Sequence, residues 1–352
     1  MNSQKIIGWE NRPELSSLIA YCDKVIRPRL AALEAQRIAT KRKRYLRTPV
    51  YLVLSVSAVL LFVKITGWNG ILPQLIFLVC GTSVLHLFSG FYKLKKLAKS
   101  EIISDIFSNL GWGYLPEFEK STDFYLLDRY GIFPAWDKKK YKDKITGKID
   151  NIQFEAYETH LTHGSGDSEI KHDLFVIKVQ STLNFLGVTH IAKRRPKFDL
   201  NRFDLSRRSL EGLKRVKFVS SKFEKQFDVF STDGVEAQYL LSPDRVEELM
   251  AFKRYLEGDD TSEIQMALGN FAEELSEIFT HGNLGNIQTT IRSITYFEGH
   301  IFFILAASDF FEIKNTQLDL SDPFHVDIIL EEVDLIYQVF DHLKTWMRGT
   351  HH

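Results

Sequence analysis

Two long apolar runs near the N-terminus constrain this 352-residue chain more than any other feature. The first occupies residues 48–67 and the second residues 71–92, with Asn69 and Gly70 in the link between them. A helix needs about 20 residues to cross the hydrocarbon core of a bilayer, and each run reaches that length. We therefore predict a transmembrane helical hairpin over residues 48–92.

Basic residues flank this predicted hairpin on both sides. The sequence KRKRYLR occupies residues 41–47, and KLKKLAK occupies residues 93–99. Because positive flanks stay on the cytoplasmic side, both chain ends are predicted to lie there. A buried helix pair in a soluble protein is the alternative interpretation of the two runs.

One ionisable residue, His86, falls inside the second apolar run. An ionisable side chain within a membrane indicates function, so one hypothesis is a membrane sensor or effector that uses His86. The alternative is a neutral imidazole that is hydrogen-bonded to a helix carbonyl or to Ser55 or Ser57.

The rest of the chain divides by composition and periodicity. We predict a cytosolic amphipathic helical arm over residues 1–47, a helical and aromatic connector over residues 93–144, and a cytosolic α+β domain over residues 145–350. The predicted fold class is therefore a membrane-anchored α+β protein. Its parts are the helical arm, the two-helix transmembrane hairpin and a cytosolic domain of mainly antiparallel sheet with flanking helices.

The most patterned stretch is FDVFSTDGVEAQYLLSP, at residues 227–243. Two alternating runs flank Asp233 and Gly234, and Asp-Gly is a strong signal for a β-hairpin turn. Ser242 and Pro243 have the residue types of a helix N-cap and of a first helical position. These four residues are therefore interpreted as structural rather than catalytic. Tight turns are also predicted at Asp150-Asn151 and at Glu298-Gly299, each between two strand-like runs.

Catalytic motifs are sparse, and the chain is predicted to bind no cofactor. The sequence has neither a P-loop nor a GxSxG elbow, which argues against an enzyme. One alternative uses the loop at residues 158–172, whose His160, His163 and His172 lie near acidic residues. On that hypothesis the protein is a membrane-tethered, metal-dependent hydrolase or nuclease.

A basic segment at residues 193–218 carries three interleaved phenylalanines. Its candidate binding residues are Lys193, Arg194, Arg195, Arg207, Arg208, Lys214 and Arg215. Three interpretations stay open: a solvated segment paired with the chain's own acidic C-terminal helix, a site for anionic membrane lipids, or a nucleic-acid site. Nucleic acid is the least favoured of the three.

Three strings carry a family resemblance: KFEKQFDVFSTDGVEAQYLLSP, ITYFEGHIFFILAASDFFEI and YKDKITGKIDNIQFEAYETHL. They resemble an uncharacterised bacterial two-helix membrane protein family, catalogued as domain of unknown function 3137. The resemblance implies the same plan of arm, membrane hairpin and α+β domain, with no established activity and no catalytic residues. It also implies a LemA-type membrane protein as a partner.

Together these observations predict an inner-membrane-anchored cytosolic binding or scaffold module. The expected location is the bacterial inner (cytoplasmic) membrane, with the N- and C-termini in the cytoplasm. The module is expected to assemble as a homo-oligomer.

Overall fold

The structure is a computed structural model, and it describes part of the chain. The described residues are 12–39, 102–183, 185–194, 212–257, 290–306, 310–311 and 321–348, with Arg42, Val53, Ser57, Lys64 and Lys99 in isolation. The chain divides into two compact units. The first comprises Met1–Leu18, Phe107–Phe311 and Ile329–His352, and the second comprises Ile19–Ile106 and Glu312–Ile328. The four domain boundaries expected from the sequence stay a prediction.

The described elements are helices α1–α8 and strands β1–β9. The helices are α1 (Pro13–Tyr21), α2 (27–39), α3 (102–109), α4 (Thr122–Arg129), α5 (Ser221–Gln226), α6 (Gly234–Leu240), α7 (Pro243–Glu257) and α8 (Phe324–Arg348). The strands are β1 (Gly113–Phe118), β2 (Lys138–Ile149), β3 (Ile152–His163), β4 (Ile170–Gln180), β5 (Thr189–Lys193), β6 (Lys214–Val216), β7 (Phe227–Ser231), β8 (Thr290–Phe297) and β9 (His300–Ala306). A π-helical turn, Cys22–Ile26, joins α1 to α2.

The first unit contains a nine-stranded sheet in the order β1-β2-β3-β4-β9-β8-β5-β7-β6. Its neighbouring strands pair antiparallel. Asp150 and Asn151 close the β2–β3 hairpin with φ angles of 49° and 66°. Glu298 and Gly299 close the β8–β9 hairpin with φ angles of 46° and 71°. Positive φ at both central residues matches the twist of paired strands, so both predicted turns are confirmed.

Two faces of the sheet bury apolar side chains in different ways. On one, here the α4 face, Phe124 of α4 stacks on Phe133 at a centroid distance of 4.2 Å. These rings cover Tyr157 and Leu174 of the central strands. Because α4 has only eight residues, it covers only part of this face.

The opposite face, here the α8 face, is covered by helices and aromatic rings. The ring centres of Phe154 of β3 and Phe340 of α8 are 5.3 Å apart, and those of Phe252 of α7 and Phe303 of β9 are 6.2 Å apart. Phe175 of β4 stacks on the ring of Phe310, which follows β9, at 4.1 Å. Successive side chains along each strand point to opposite faces, so each strand contributes apolar residues to two separate cores.

In the second unit, Arg27 at the start of α2 binds two carboxylates. It donates to Asp23 at 2.7 Å and to Asp327 at 2.8 Å. Burial raises the pKa of the neighbouring Cys22 thiol to about 12. This cysteine is therefore a protonated, apolar packing residue.

The membrane part of the predicted fold class is corrected by this structure. Within the described residues, no helix combines the length and apolar character that a bilayer crossing requires. α8 has 25 residues, but Asp327, Asp334 and Lys344 interrupt its apolar surface, and α7 has only 15 residues. A span needs about 20 predominantly apolar residues.

The predicted fold class is therefore wrong in its membrane anchor, and the described fold is a nine-stranded antiparallel sheet with helices. The predicted transmembrane hairpin over 48–92 lies outside the described residues, apart from Val53, Ser57 and Lys64. The inner-membrane location with both termini in the cytoplasm followed from that hairpin, so this prediction is corrected with it.

Candidate functional site

The patterned stretch at residues 227–243 forms a dense hydrogen-bonded turn between β7 and α6. Ser231 Oγ contacts Thr189 Oγ1 at 2.9 Å and accepts from the Asp233 amide at 3.1 Å. Thr232 Oγ1 accepts from the Val188 amide at 2.9 Å, and the Thr232 amide donates back to the Val188 carbonyl at 3.0 Å. The hydroxyls of this motif are therefore used to join β7 to the chain before β5.

Asp233 is the N-cap of α6. One of its carboxylate oxygens accepts from the amides of Val235 and Glu236, at 2.8 Å and 3.2 Å. These amides begin the helix and have no partner within it, so the carboxylate satisfies them. Asp233 has a φ of −131°, which is extended backbone and differs from the positive φ of a hairpin turn.

The predicted hairpin across Asp233 and Gly234 is therefore replaced by a helix that begins at Gly234. The missed signal is the D-x-x-E spacing of Asp233 and Glu236, which is typical of a helix N-terminus. Ser242 and Pro243 have their predicted role, because α7 begins at Pro243 and the Val246 amide donates to the Ser242 carbonyl.

Glu236 links α6 to the loop that precedes β5. Its two carboxylate oxygens accept from the amides of Leu186 and Gly187, at 2.7 Å and 3.0 Å. A Cβ at Gly187 would lie 2.6 Å from Thr232 Oγ1 and 2.7 Å from Glu236 Oε2. Only glycine allows the loop to approach this closely. We call this arrangement of Gly187, Thr232 and Glu236 the loop clamp.

Three apolar side chains near the loop clamp are exposed to solvent. Leu186 is fully exposed, Val235 is 79% exposed and Tyr239 is 59% exposed. Val235 and Tyr239 are four residues apart on α6 and share one side of that helix. We call these three residues the apolar platform. Of the eight large apolar side chains that are exposed in the described part of the chain, these three and Val219 lie within residues 186–239.

Arg245 fixes the other end of α6. This buried side chain donates to the carbonyls of Tyr239 and Leu240, at 3.2 Å and 3.3 Å. Its guanidinium also lies 5.8 Å from the centre of the Tyr239 ring. Both ends of the short helix are therefore anchored by hydrogen bonds to side chains.

Exposed lysines lie on the segment next to α6. Lys214 is the first residue of β6, Lys217 directly follows its last residue, and Lys222 lies on α5. The Val216 side chain lies 3.9 Å from the position that a Cβ on Gly234 would take, so β6 adjoins the start of α6. These lysines are therefore cationic groups on the elements next to α6.

The predicted basic segment is partly inside the described residues. Arg194 donates to Asp228 at 2.5 Å, and Arg215 donates to the same carboxylate at 2.6 Å. The hydrogen bond between Arg194 and Asp228 raises the pKa of Arg194. Lys193 and Lys214 lie on β5 and β6. Arg195, Arg207 and Arg208 lie outside the described residues.

The three candidate metal ligands are not brought together. His160 lies on the α8 face, where its Nδ1 contacts Asp173 at 2.6 Å and its Nε2 lies 3.5 Å from Glu158. His163 contacts Asp137 at 3.0 Å. Residues three apart on a strand face opposite ways, so His163 lies on the other side from His160.

His172 pairs with Leu161 across the strands, which places it on the side opposite His160. Among the described residues, no group of three or more metal-ligating side chains is placed to hold an ion. The pKa of His160 is raised, chiefly by its interaction with the Glu158 carboxylate. His86 lies outside the described residues, and its proposed sensor role stays a prediction.

The described architecture defines an antiparallel sheet-and-helix domain in which the polar side chains of the patterned stretch at residues 227–243 bind the chain's own backbone. Residues 175–274 match the model of a family described as "Protein of unknown function (DUF3137)". The chain thus carries this domain, and the family resemblance is confirmed over that segment, although its two-helix membrane anchor is not. The loop clamp and the apolar platform both lie within the matched residues.

Two other comparisons add little. No curated protein matches the chain. One structural match is a crystal structure of the mycobacterial trehalose monomycolate transport factor A, TtfA, with 10% identity and a TM-score of 0.27. It covers 66% of this chain and 92% of that chain. A similarity at this level supports no conclusion about fold or function.

Proposed function

We propose that this domain is a self-associating scaffold module, in which the apolar platform of one copy binds an acidic segment of a second copy. The observation that carries this proposal is the exposure of Leu186, Val235 and Tyr239 on anchored backbone. The loop clamp fixes the backbone at Leu186, since its amide is bound to Glu236. Apolar side chains in solvent favour a protein partner.

The acidic segment is residues 258–281, GDDTSEIQMALGNFAEELSEIFTH, which lie outside the described residues. Its sequence contains six acidic residues and no lysine or arginine. Its apolar residues Ile264, Leu268, Phe271, Leu275 and Ile278 alternate at spacings of four and three. That spacing is typical of a helix that buries one apolar stripe against a partner. The acidic residues complement the lysines beside the platform.

The acidic C-terminal helix is a less suitable occupant. Asp334 and Asp341 of α8 contact Arg12, and Asp341 also contacts Lys344. Carboxylates already paired within the chain would have to lose those contacts before binding elsewhere. The segment at 258–281 has the stronger charge complementarity. A LemA-type partner stays a prediction.

The first experiment measures the mass of the full chain by light scattering during size-exclusion chromatography. We expect a concentration-dependent oligomer in the wild type and a monomer in the double variant Val235→Ser, Tyr239→Ser. The matched control is Leu115→Ser, which removes another exposed apolar side chain from β1. A wild type that stays monomeric at high concentration would disprove the proposal.

The second experiment uses a labelled synthetic peptide of residues 258–281 and measures fluorescence anisotropy on addition of the full chain. We expect saturable binding that weakens at high salt, because opposite charges contribute. A scrambled peptide of equal charge is the control. Equal binding of both peptides to the full chain contradicts the proposal. The same holds if the full chain binds neither peptide but binds anionic vesicles or single-stranded RNA.

A further inference from the structure

A polar groove crosses the α4 face at the end of the sheet formed by β1, β2, β3, β4 and β9. Its volume is about 730 Å³, within the range of roughly 300–1,000 Å³ that is usual for small-molecule sites. α4 does not extend over this part of the sheet, so strand side chains line the groove directly. The groove involves none of the residues of the apolar platform or the loop clamp.

The strand register arranges polar side chains in two rows. Lys148 lies opposite Gln153, and Gln180 lies opposite His300. Phe154 pairs with Val179, which brings Gln153 beside Gln180 and completes the row. Three strand spacings separate the ends of this row, a distance of about 14 Å.

The second row contains Thr146, Glu155 and Lys178, which lie opposite one another in turn. Gly113 of β1 lies opposite Thr146. A Cβ at Gly113 would lie 2.8 Å from Thr146 Oγ1. The absence of a side chain at Gly113 therefore keeps the β1 side of the groove open.

The charges of the groove are partly compensated. Glu155 is paired with Lys144 at 2.9 Å, and Lys178 is paired with Asp123 at 2.6 Å. Lys148 is exposed, and within the described residues no carboxylate lies at ion-pair distance from it. The groove therefore has a net excess of one cation, placed beside amide and hydroxyl groups.

His300 adds a second polar group at the far end of the first row. Its Nδ1 contacts the Glu298 carbonyl at 2.8 Å, which fixes the ring and leaves Nε2 as the other hydrogen-bonding atom. Lys178 and His300 occupy diagonal positions on neighbouring strands, at a typical separation of about 7–8 Å. Because the Lys178 ammonium is bound to Asp123 at 2.6 Å, His300 Nε2 is the atom that is able to approach a group bound over Gln180.

We infer that this groove binds a small phosphomonoester with a hydroxylated body. The exposed ammonium group of Lys148 favours an anion, and the side-chain amides of Gln153 and Gln180 donate to phosphate or hydroxyl oxygens. A phosphate ion alone would leave most of the 730 Å³ volume unfilled. Thr146 and the remaining amide atoms provide partners for hydroxyl groups.

Calorimetric titration of the full chain tests this inference, with glucose 6-phosphate as the probe and glucose and inorganic phosphate as the two reference ligands. We expect glucose 6-phosphate to bind at least about tenfold more tightly than either reference ligand, because it alone satisfies both parts of the site. Absence of saturable binding by glucose 6-phosphate overturns the inference. Equal affinity for inorganic phosphate also overturns it, because the hydroxylated body would then contribute nothing.

Two variants locate the binding in the groove. Lys148→Gln should weaken glucose 6-phosphate binding about tenfold, since it removes one charge-assisted hydrogen bond. Thr146→Trp should abolish binding by filling the groove, at an exposed strand position where an aromatic residue is tolerated. Lys138→Gln, at the opposite end of β2, is the matched control and should bind as the wild type. Wild-type affinity in Lys148→Gln, at an unchanged melting temperature, contradicts the inference.

Discussion

The two ends of the nine-stranded sheet use polar residues in opposite ways. At the platform end, Thr232, Asp233 and Glu236 all bind backbone amides, and Leu186, Val235 and Tyr239 are exposed. At the groove end, Thr146, Lys148 and Gln153 are exposed to solvent, while Ile149 between them is buried. A conspicuous polar motif therefore marks structure at one end, and dispersed polar residues mark a candidate binding surface at the other.

The largest expected effect concerns a buried titratable side chain at the platform end and the pH dependence of stability that it causes. His190 of β5 is buried, its Nδ1 contacts Thr295 Oγ1 at 2.9 Å, and burial lowers its pKa from 6.5 to about 4. The unfolded chain therefore takes up a proton at higher pH than the folded chain does. Stability should fall as the pH drops from 6.5 to 4, by about 3 kcal/mol in total.

Urea denaturation at several pH values measures this effect. The comparison is with His190→Gln, which keeps a hydrogen-bonding side chain and does not titrate. The difference in unfolding free energy between the two proteins should change across this pH window and remain constant above pH 7. A constant difference at all pH values would contradict the expected protonation.

The next prediction breaks the loop clamp. Glu236→Ala removes the acceptors of the Leu186 and Gly187 amides and should cost about 2 kcal/mol, as expected for hydrogen bonds to a charged group. Chemical denaturation measures the loss. Glu247→Ala, an exposed glutamate on α7, is the control and should change stability little. Equal losses in both variants would show that the clamp does not stabilise the fold.

A smaller effect is expected from the helix cap. Asp233→Ala should destabilise the protein by about 1 kcal/mol, because two amides of α6 lose their acceptor. Asp244→Ala, in the first turn of α7, lacks a capping role and should cost only about 0.3 kcal/mol. Thermal denaturation separates the two. A larger loss in Asp244→Ala would refute the capping assignment.

The smallest expected effect lies at the groove end. The double variant Thr146→Val, Gln153→Ala removes polar atoms that make no hydrogen bond to other described residues. Its unfolding free energy should therefore stay within about 0.5 kcal/mol of the wild type. A loss comparable to that of Glu236→Ala would show that the two ends of the sheet do not differ as described.

Local sequence signals predicted much of the sheet. The turns at Asp150-Asn151 and Glu298-Gly299 were identified correctly, as was the start of α7 at Pro243. The Asp-Gly pair at residues 233–234 was misinterpreted, because the same aspartate suits a hairpin turn and a helix N-cap. The candidate groove was missed because its polar residues come from four strands. Its only sequence signal was the alternation of residues such as Thr146 and Lys148, or Gln153 and Glu155.

The sequence by itself determined the turns, the hairpins and the C-terminal helix, since these depend on residues close together in the chain. Tertiary structure decided that β5 lies between β8 and β7 and that Glu236 binds the Leu186 amide, 50 residues away. It also decided that His160 and His163 lie apart. The physical reason is that several groups distant in sequence could bind the same side chain. Only the folded chain determines which of these groups lies within hydrogen-bonding distance.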